Sequence, residues 1–285
     1  KCQACKVRIL EGKVSDPTPS EVETFTAKEL KEGWRLACQA YPAADCKVHV
    51  PPESMTAPQR TQVEGLEIKV PPEPSVQTYQ VKLQETTLSD VRADDESLLQ
   101  TLNREHDLSC TRTDIEVLRK FSPLMRSWDW ECQASVRGDE IIGVAPWPSP
   151  VLGFAVDLGT TKIAGYLVDL KDGRTLASKG VMNPQISYGE DIISRIQGTL
   201  MSATVGTDMQ RVAVEALNQL AADLCLEAGA AVTDIVDAVI VSNTAMHHLL
   251  LGLPVKQLVL APFVPAVSRA LDCKAREIGL SFASG

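Results

Sequence analysis

The chain has 285 residues, 44% of them hydrophobic, with a formal net charge of −9. No apolar run approaches the ~20 residues of a membrane helix, and no basic patch of the kind a nucleic-acid binder needs is present. The acidity gathers in residues 51–150, net −7, which reads as a solvated face of a protein with two or three domains.

Residues 1–50 read as a small β-rich unit. "KVRILEGKVS" alternates and turns at Gly12, "ETFTAKELKEG" reads as one short helix ending at Gly33, and "CKVHVP" as a closing strand. Residues 51–75 hold six prolines and little periodicity, the texture of a semi-rigid linker. In residues 76–148 the order is a strand in "TYQVKLQE", a helix in "DDESLLQTLNREHD", a second helix in "RTDIEVLRKFSPLMRS" stopped near Pro123, and a hairpin in "WDWECQASVRGDEIIGVAP". Together they make a small α+β middle domain.

From residue 149 the texture changes. "VLGFAVDLG", "TKIAGYLVDL" and "RTLASKGVMN" are three strands, the last two joined through "KDGR". Helices of period 3.6 follow in "GEDIISRIQGTLMSA" and "DMQRVAVEALNQLAADLCLEAG", the latter capped by Gly229. A Val/Ile-rich strand, "DIVDAVIVSN", leads into a helix at "TAMHHLLLG". The order βββ–α–α–β–α predicts a mixed α/β layer. His247 and His248 are adjacent, so a helix points them apart: one packs and one is exposed.

Of eight cysteines, Cys2, Cys5 and Cys38 lie near the start and the rest scatter. That is not a disulfide framework; it points to metal ligands in a reducing compartment. Cys110, Cys132, Cys225 and Cys273 read as buried thiols. Cys2 and Cys5 have C-x2-C spacing, and Cys38 follows inside "GWRLACQA". Plant-type [2Fe–2S] sites use C-x4-C-x2-C…C, so three ligands stand in the right order and the first would lie upstream of Lys1. Two alternatives stay open: zinc, with Cys46 and His49 as further ligands, or plain structural thiols.

"VDLGTTKIAG" sits between two apolar strands. Asp157 ends the first; a carboxylate there can orient the water shell of Mg²⁺. Gly159 permits close approach of backbone N–H groups to phosphate, and Thr160, Thr161 and Lys162 add donors. Neither a P-loop nor a G-x-G-x2-G is present. In "NPQISYGEDIISRI", Gln185 and Asp191 are candidate catalytic groups, as base or Mg²⁺ ligand; simple helix capping is the alternative for Asp191. Asn243 and Thr244 are candidate phosphate donors, and a plain N-cap is the alternative for Asn243.

These stretches, in this order, resemble the reductive activators of corrinoid proteins, which serve cobalamin-dependent methyltransferases. The resemblance implies an α/β multidomain chain. A small β-grasp ferredoxin-like domain (1–50) is followed by a linker (51–75), the middle domain (76–148) and the first half of a ribonuclease H-like, actin/Hsp70-type ATPase domain (149–285). It implies a [2Fe–2S] cluster on Cys2, Cys5 and Cys38, ATP with Mg²⁺ at Asp157, Gly159, Thr160, Thr161 and Lys162, and ATP-dependent reduction of Co(II) to Co(I) on a corrinoid protein. A low-potential electron donor, a cytoplasmic setting and a homodimer belong to the same expectation; nucleic acid and membrane do not. The absent first cluster cysteine and the stop before a second phosphate loop suggest a fragment of a longer protein, poor in ATPase activity alone. Competing readings are a sugar-kinase-like phosphotransferase and a nucleotide-dependent redox sensor with an appended ferredoxin domain.

Overall fold

The computed structural model describes residues 5–51, 72–89 and 91–282. Most of the proline-rich stretch expected as a linker therefore lies outside the described residues. The chain divides into two compact units, residues 1–61 and 62–285.

The first unit is built on a three-stranded antiparallel sheet. Strand β1 (Lys6–Glu11) lies between β2 (Trp34–Leu36) and β3 (Lys47–His49), with Lys6 opposite Leu36 and Arg8 opposite both Trp34 and His49. Val7, Phe25 and Leu36 are its buried apolar residues. The single helix expected before Gly33 is two: α1 (Pro19–Thr24) and α2 (Ala27–Lys31). The break has a local cause. Thr26 Oγ1 accepts from the Glu29 N–H at 3.3 Å while the Glu29 carboxylate accepts from the Thr26 N–H at 2.7 Å, a capping box that starts a new helix. Phe25, extended at φ −112°, turns into the core instead. Gly33 adopts φ +91°, and a Cβ there would sit 2.5 Å from the Ile9 carbonyl oxygen, so only glycine lets β1 and β2 close up.

The second unit holds two four-stranded sheets. The first has the order β4 (Val76–Lys82), β6 (Glu131–Arg137), β7 (Glu140–Ala145), β5 (Arg112–Thr113). Helices α3 (Asp94–Glu105) and α4 (Ile115–Ser127) bury Leu98, Leu102, Val117, Phe121 and Met125 against it. Two expectations change here. Helix α4 runs through Pro123 rather than stopping there. Proline costs a helix one backbone bond, but Phe121 and Met125 on either side are both buried, and that burial outweighs it. Strand β5, only two residues long, pairs parallel with β7 where the sequence suggested the helix alone.

The other sheet has the order β10 (Thr175–Met182), β9 (Lys162–Asp169), β8 (Leu152–Leu158), β11 (Ile235–Ser242). Strands β8, β9 and β10 form an antiparallel meander, and β11 lies parallel to β8. Helix α5 (Ile192–Met201) precedes the long α6 (Ala203–Ala228), which begins five residues before Asp208, where the sequence placed it. Helix α6 ends at Gly229 in the left-handed conformation, as expected. Phe154, Leu158, Ile163 and Leu167 of the sheet bury against Met209, Leu217, Leu220 and Leu224 of α6. Helix α7 (Thr244–Leu250) follows β11. Its His248 is wholly buried and His247 half-buried. Cys110, Cys132 and Cys225 are buried, the Cys132 thiol pushed by desolvation up to about 12; Cys273, expected to be buried, is exposed.

Charge ties the segment around Lys274 to the first of this unit's sheets and to α4. Asp114 is buried and caps α4 by accepting from the Glu116 N–H at 2.8 Å. It also receives Lys274 Nζ and, at 2.9 Å, Arg276 Nη2. Lys274 reaches Glu140 of β7 as well, at 2.6 Å.

Candidate functional site

Two groups of candidate residues lie in the two units. In the first unit, Cys5 immediately precedes β1 and Cys38 is the second residue after β2. Antiparallel pairing of Lys6 with Leu36, extended by the bond from the Ala37 N–H to the Cys5 carbonyl (2.8 Å), brings the thiols to one end of the sheet. The Cys5 thiol donates to Cys38 Sγ at 3.2 Å with no disulfide between them, Cys5 half-buried and Cys38 exposed. Cys2 lies outside the described residues. A pair of reduced thiols on adjacent strand ends, one of them open to the surface, suits ligation of a surface-near cluster. Cys46 is engaged differently: its thiol donates to the Lys13 and Ala44 carbonyls at 3.3 and 3.1 Å. Among the described residues no three His, Cys, Asp or Glu side chains come together as a metal site; Cys2, common to the iron–sulfur and the zinc readings, is not among them.

The strand that precedes Cys38 carries a buried ion pair: Arg35 meets Glu21, with Nη2 to Oε2 at 2.9 Å and Nε to Oε1 at 3.0 Å. Glu21 also accepts from the Leu36 and Thr18 N–H groups. Burial alone would raise its carboxyl; the Arg35 guanidinium and these N–H groups outweigh that and hold it at about 2.

In the second unit the candidate phosphate loop is the β8–β9 turn. Asp157 at the carboxyl end of β8 is exposed and lies beside Val241 of β11. The carboxyl ends of these two parallel strands thus bring the turn next to Asn243, a common place for a ligand in α/β sheets. Asn243 Nδ2 donates to Thr160 Oγ1 at 3.2 Å, and its Oδ1 accepts from the Met246 N–H at 3.0 Å, capping α7. Thr161 and Thr244 are exposed, and Lys162 is half-buried. A Cβ on Gly159 would lie 2.6 Å from the Lys162 carbonyl oxygen, so the turn closes too tightly for any side chain at that position.

The two candidate catalytic residues separate. Asp191 is exposed and caps α5, accepting from the Ser194 N–H at 2.9 Å and Ser194 Oγ at 2.8 Å; these bonds lower its pKa. Gln185 is wholly buried. Its Nε2 donates to the Met209 carbonyl at 2.9 Å and its N–H to Asn183 Oδ1 at 3.0 Å. In this geometry the Gln185 amide is engaged by Met209, Asn183 and Arg195. The sequence reading passed over two residues of the same network. Asn183, buried, donates from Nδ2 to the Gly159 carbonyl (2.8 Å) and from its N–H to the Thr161 carbonyl (2.9 Å). Arg195, buried, donates from Nη2 to the Thr160 carbonyl at 2.6 Å. The available signal was periodicity: Arg195 falls on the inward face of α5 with Ile192, Ile196 and Thr199. A cavity of about 450 Å³ lies elsewhere in this unit, among Arg137, Asp237, Ile240, Lys274 and Phe282, and none of Asp157–Lys162 lines it.

Three family models tile the chain. Residues 1–43 match the 2Fe-2S iron-sulfur cluster binding domain, 65–148 the RACo linker region and 152–285 the RACo middle region. The corrinoid activation enzyme RamQ of Eubacterium limosum is 32% identical over 171 residues, 59% of this chain and 29% of that protein. A component of the Na(+)-translocating NADH-quinone reductase of Pseudomonas aeruginosa is 40% identical over 52 residues, 18% of this chain and 12% of that one. Among solved structures, a reductive activator for corrinoid, iron-sulfur protein superposes over 99% of this chain and 47% of its own, with a TM-score of 0.65 and 25% identity. The chain thus spans less than half the length of the corrinoid activators it matches.

Proposed function

We propose that this chain, whose three matched regions are a 2Fe-2S cluster binding domain and the RACo linker and middle regions, is a corrinoid reductive activator with a ferredoxin domain and takes part in ATP-dependent reduction of a corrinoid protein from Co(II) to Co(I). One electron from a low-potential donor enters through the first unit and leaves to the cobalt, which makes the metal competent to accept a methyl group. A [2Fe–2S] cluster, when bound, supplies the one-electron step at low potential. The observation that carries this reading is the 3.2 Å approach of Cys5 and Cys38 in one unit of a chain whose other unit holds the Asp157–Lys162 turn.

In the first unit, Cys5 and Cys38 offer thiolates at one sheet end, and the Glu21–Arg35 pair fixes the strand that leads to Cys38. In the second, the meander with β11 alongside β8 fits one lobe of an actin/Hsp70-type, ribonuclease H-like ATPase. Thr160, Thr161 and Lys162 would hold phosphate. Asp157 and Asp191 would face the water shell of Mg²⁺; a carboxyl with a lowered pKa, as in Asp191, suits a cation's shell better than proton abstraction. Asn243 orients the Thr160 hydroxyl. ATP shifts a redox equilibrium only by binding the reacting states unequally, so the coupling must act on the complex with the corrinoid protein. The reading implies a cytoplasmic protein; among the described residues no helix is long and apolar enough to cross a membrane.

The test is anaerobic reconstitution of the full-length protein with iron and sulfide, followed by electron paramagnetic resonance of the reduced protein and by optical reduction of a corrinoid protein with and without MgATP. A rhombic [2Fe–2S] signal lost in Cys5→Ser and Cys38→Ser, with reduction faster or more complete when ATP is present, is the expected result. A colourless product, or corrinoid reduction indifferent to ATP, refutes the corresponding half.

A further inference from the structure

Arg195 is wholly buried, and its guanidinium is shared among neutral acceptors. Besides the Thr160 carbonyl, Nε donates to the Gly189 carbonyl at 2.9 Å, and Nη1 approaches Gln185 Oε1 and Met246 Sδ, each at 3.5 Å. Among the described residues no carboxylate forms an ion pair with it; Asp191, exposed at the head of the same helix, acts on it only through space. Burial lowers its pKa, but a guanidinium stays charged at neutral pH. A buried charge with no counter-ion is costly to a fold.

That charge lies directly behind the candidate phosphate turn. Three successive carbonyls point to buried donors: Gly159 to Asn183 Nδ2, Thr160 to Arg195 Nη2 and Thr161 to the Asn183 N–H. In a trans peptide the N–H points opposite to the C=O. The N–H groups of Thr160 and Thr161 are therefore directed away from the buried side, as in an anion-binding nest.

We propose that Arg195 is the positioning residue of this turn, and that its unneutralised guanidinium tunes the turn to a polyphosphate, with the buried cation behind, the anion in front and the two peptide N–H groups between. This deepens the nucleotide reading above and rests on it. Arg195 touches no ligand; it acts through the Thr160 peptide and through its charge.

The full chain is titrated by calorimetry with MgATP and, separately, with tripolyphosphate. Wild type is expected to bind both. Arg195→Met should weaken tripolyphosphate by at least about tenfold, equivalent to about 1.4 kcal/mol. Arg195→Lys keeps the charge but not the fork and should recover most of that affinity, although its melting temperature falls as in Arg195→Met. Equal losses in the two variants, or wild-type affinity in Arg195→Met, overturn the proposal. Should Arg195→Met fail to fold, the assigned Arg195 Nε–H resonance of the wild-type chain decides: it should move on saturation with tripolyphosphate, and a resonance that stays in place overturns the proposal. A wild-type chain that binds neither probe overturns the nucleotide reading as well, whereas binding indifferent to Arg195 overturns only the inference.

Discussion

Replacing Glu21 by Gln should cost the first unit about 3 kcal/mol at neutral pH and remove most of its acid sensitivity. The Glu21 carboxylate accepts from Arg35 Nε and Nη2, the Leu36 N–H, and the Thr18 N–H and Oγ1, at 2.8–3.2 Å, with no exposed surface. Its pKa falls from 4.5 to about 2. At about 1.4 kcal/mol per unit, such a drop is worth roughly 3 kcal/mol. Because the folded pKa is depressed, that stability is fully present above the unfolded value and is lost as pH falls from about 4.5 through about 2. Gln preserves the shape but leaves Arg35 buried without its counter-charge, a change that typically costs about 3–5 kcal/mol. The assay is urea unfolding of the reduced, metal-free chain, read by pulsed hydrogen exchange on peptides from residues 5–51, between pH 7 and pH 3. Wild type and Glu21→Gln should differ most at pH 7 and converge in acid. A variant within about 0.5 kcal/mol of wild type at pH 7, or one with the wild-type acid slope, would refute the reasoning.

Gly159→Ala forces a Cβ to within 2.6 Å of the Lys162 carbonyl oxygen; the turn must open, and calorimetry should show MgATP affinity reduced by about tenfold or more. Cys46→Ser should leave the reduced-cluster resonance spectrum unchanged, since the Cys46 thiol is spent on two carbonyls, whereas Cys5→Ser or Cys38→Ser should abolish or shift it. Lys274→Met removes the cation shared by Asp114 and Glu140 and should destabilise the second unit by about 2 kcal/mol or more, measured by chemical denaturation. Burial opposes ionisation of Asp114, and Arg276 and Lys274 together overcome it to lower the pKa. Its contribution is therefore lost as pH falls below the ordinary carboxylate range, and in Lys274→Met that loss should begin at higher pH.

Strands, long helices and the order of elements were legible because period-2 and period-3.6 patterns survive in single segments such as residues 152–182 and 208–228. What escaped depended on partners far along the chain or on balances a pattern does not express. The break at Thr26 is a side-chain capping event, and the passage of α4 through Pro123 is decided by burial of Phe121 and Met125. Strand β5 exists because Arg112 and Thr113 line up with Glu140 and Ile141 of β7. At the site, the turn and Asn243 were readable as chemistry on loops. Periodicity puts Arg195 on the inward face of α5, but the partners of Gln185 and Arg195 were not readable, because they lie far along the chain. Only the fold shows that these two reach the Met209 and Thr160 carbonyls.

The meeting of Lys274 and Arg276 on Asp114 has a mechanical consequence. Asp114 begins helix α4 and is buried, so segment 272–278 is anchored to a rigid element of the neighbouring sheet. A ligand that shifts this segment must either carry the middle sheet along or tear apart a desolvated carboxylate and its two cations. Separating a buried carboxylate from its cations is costly, so a displacement of segment 272–278 would be felt at the head of α4.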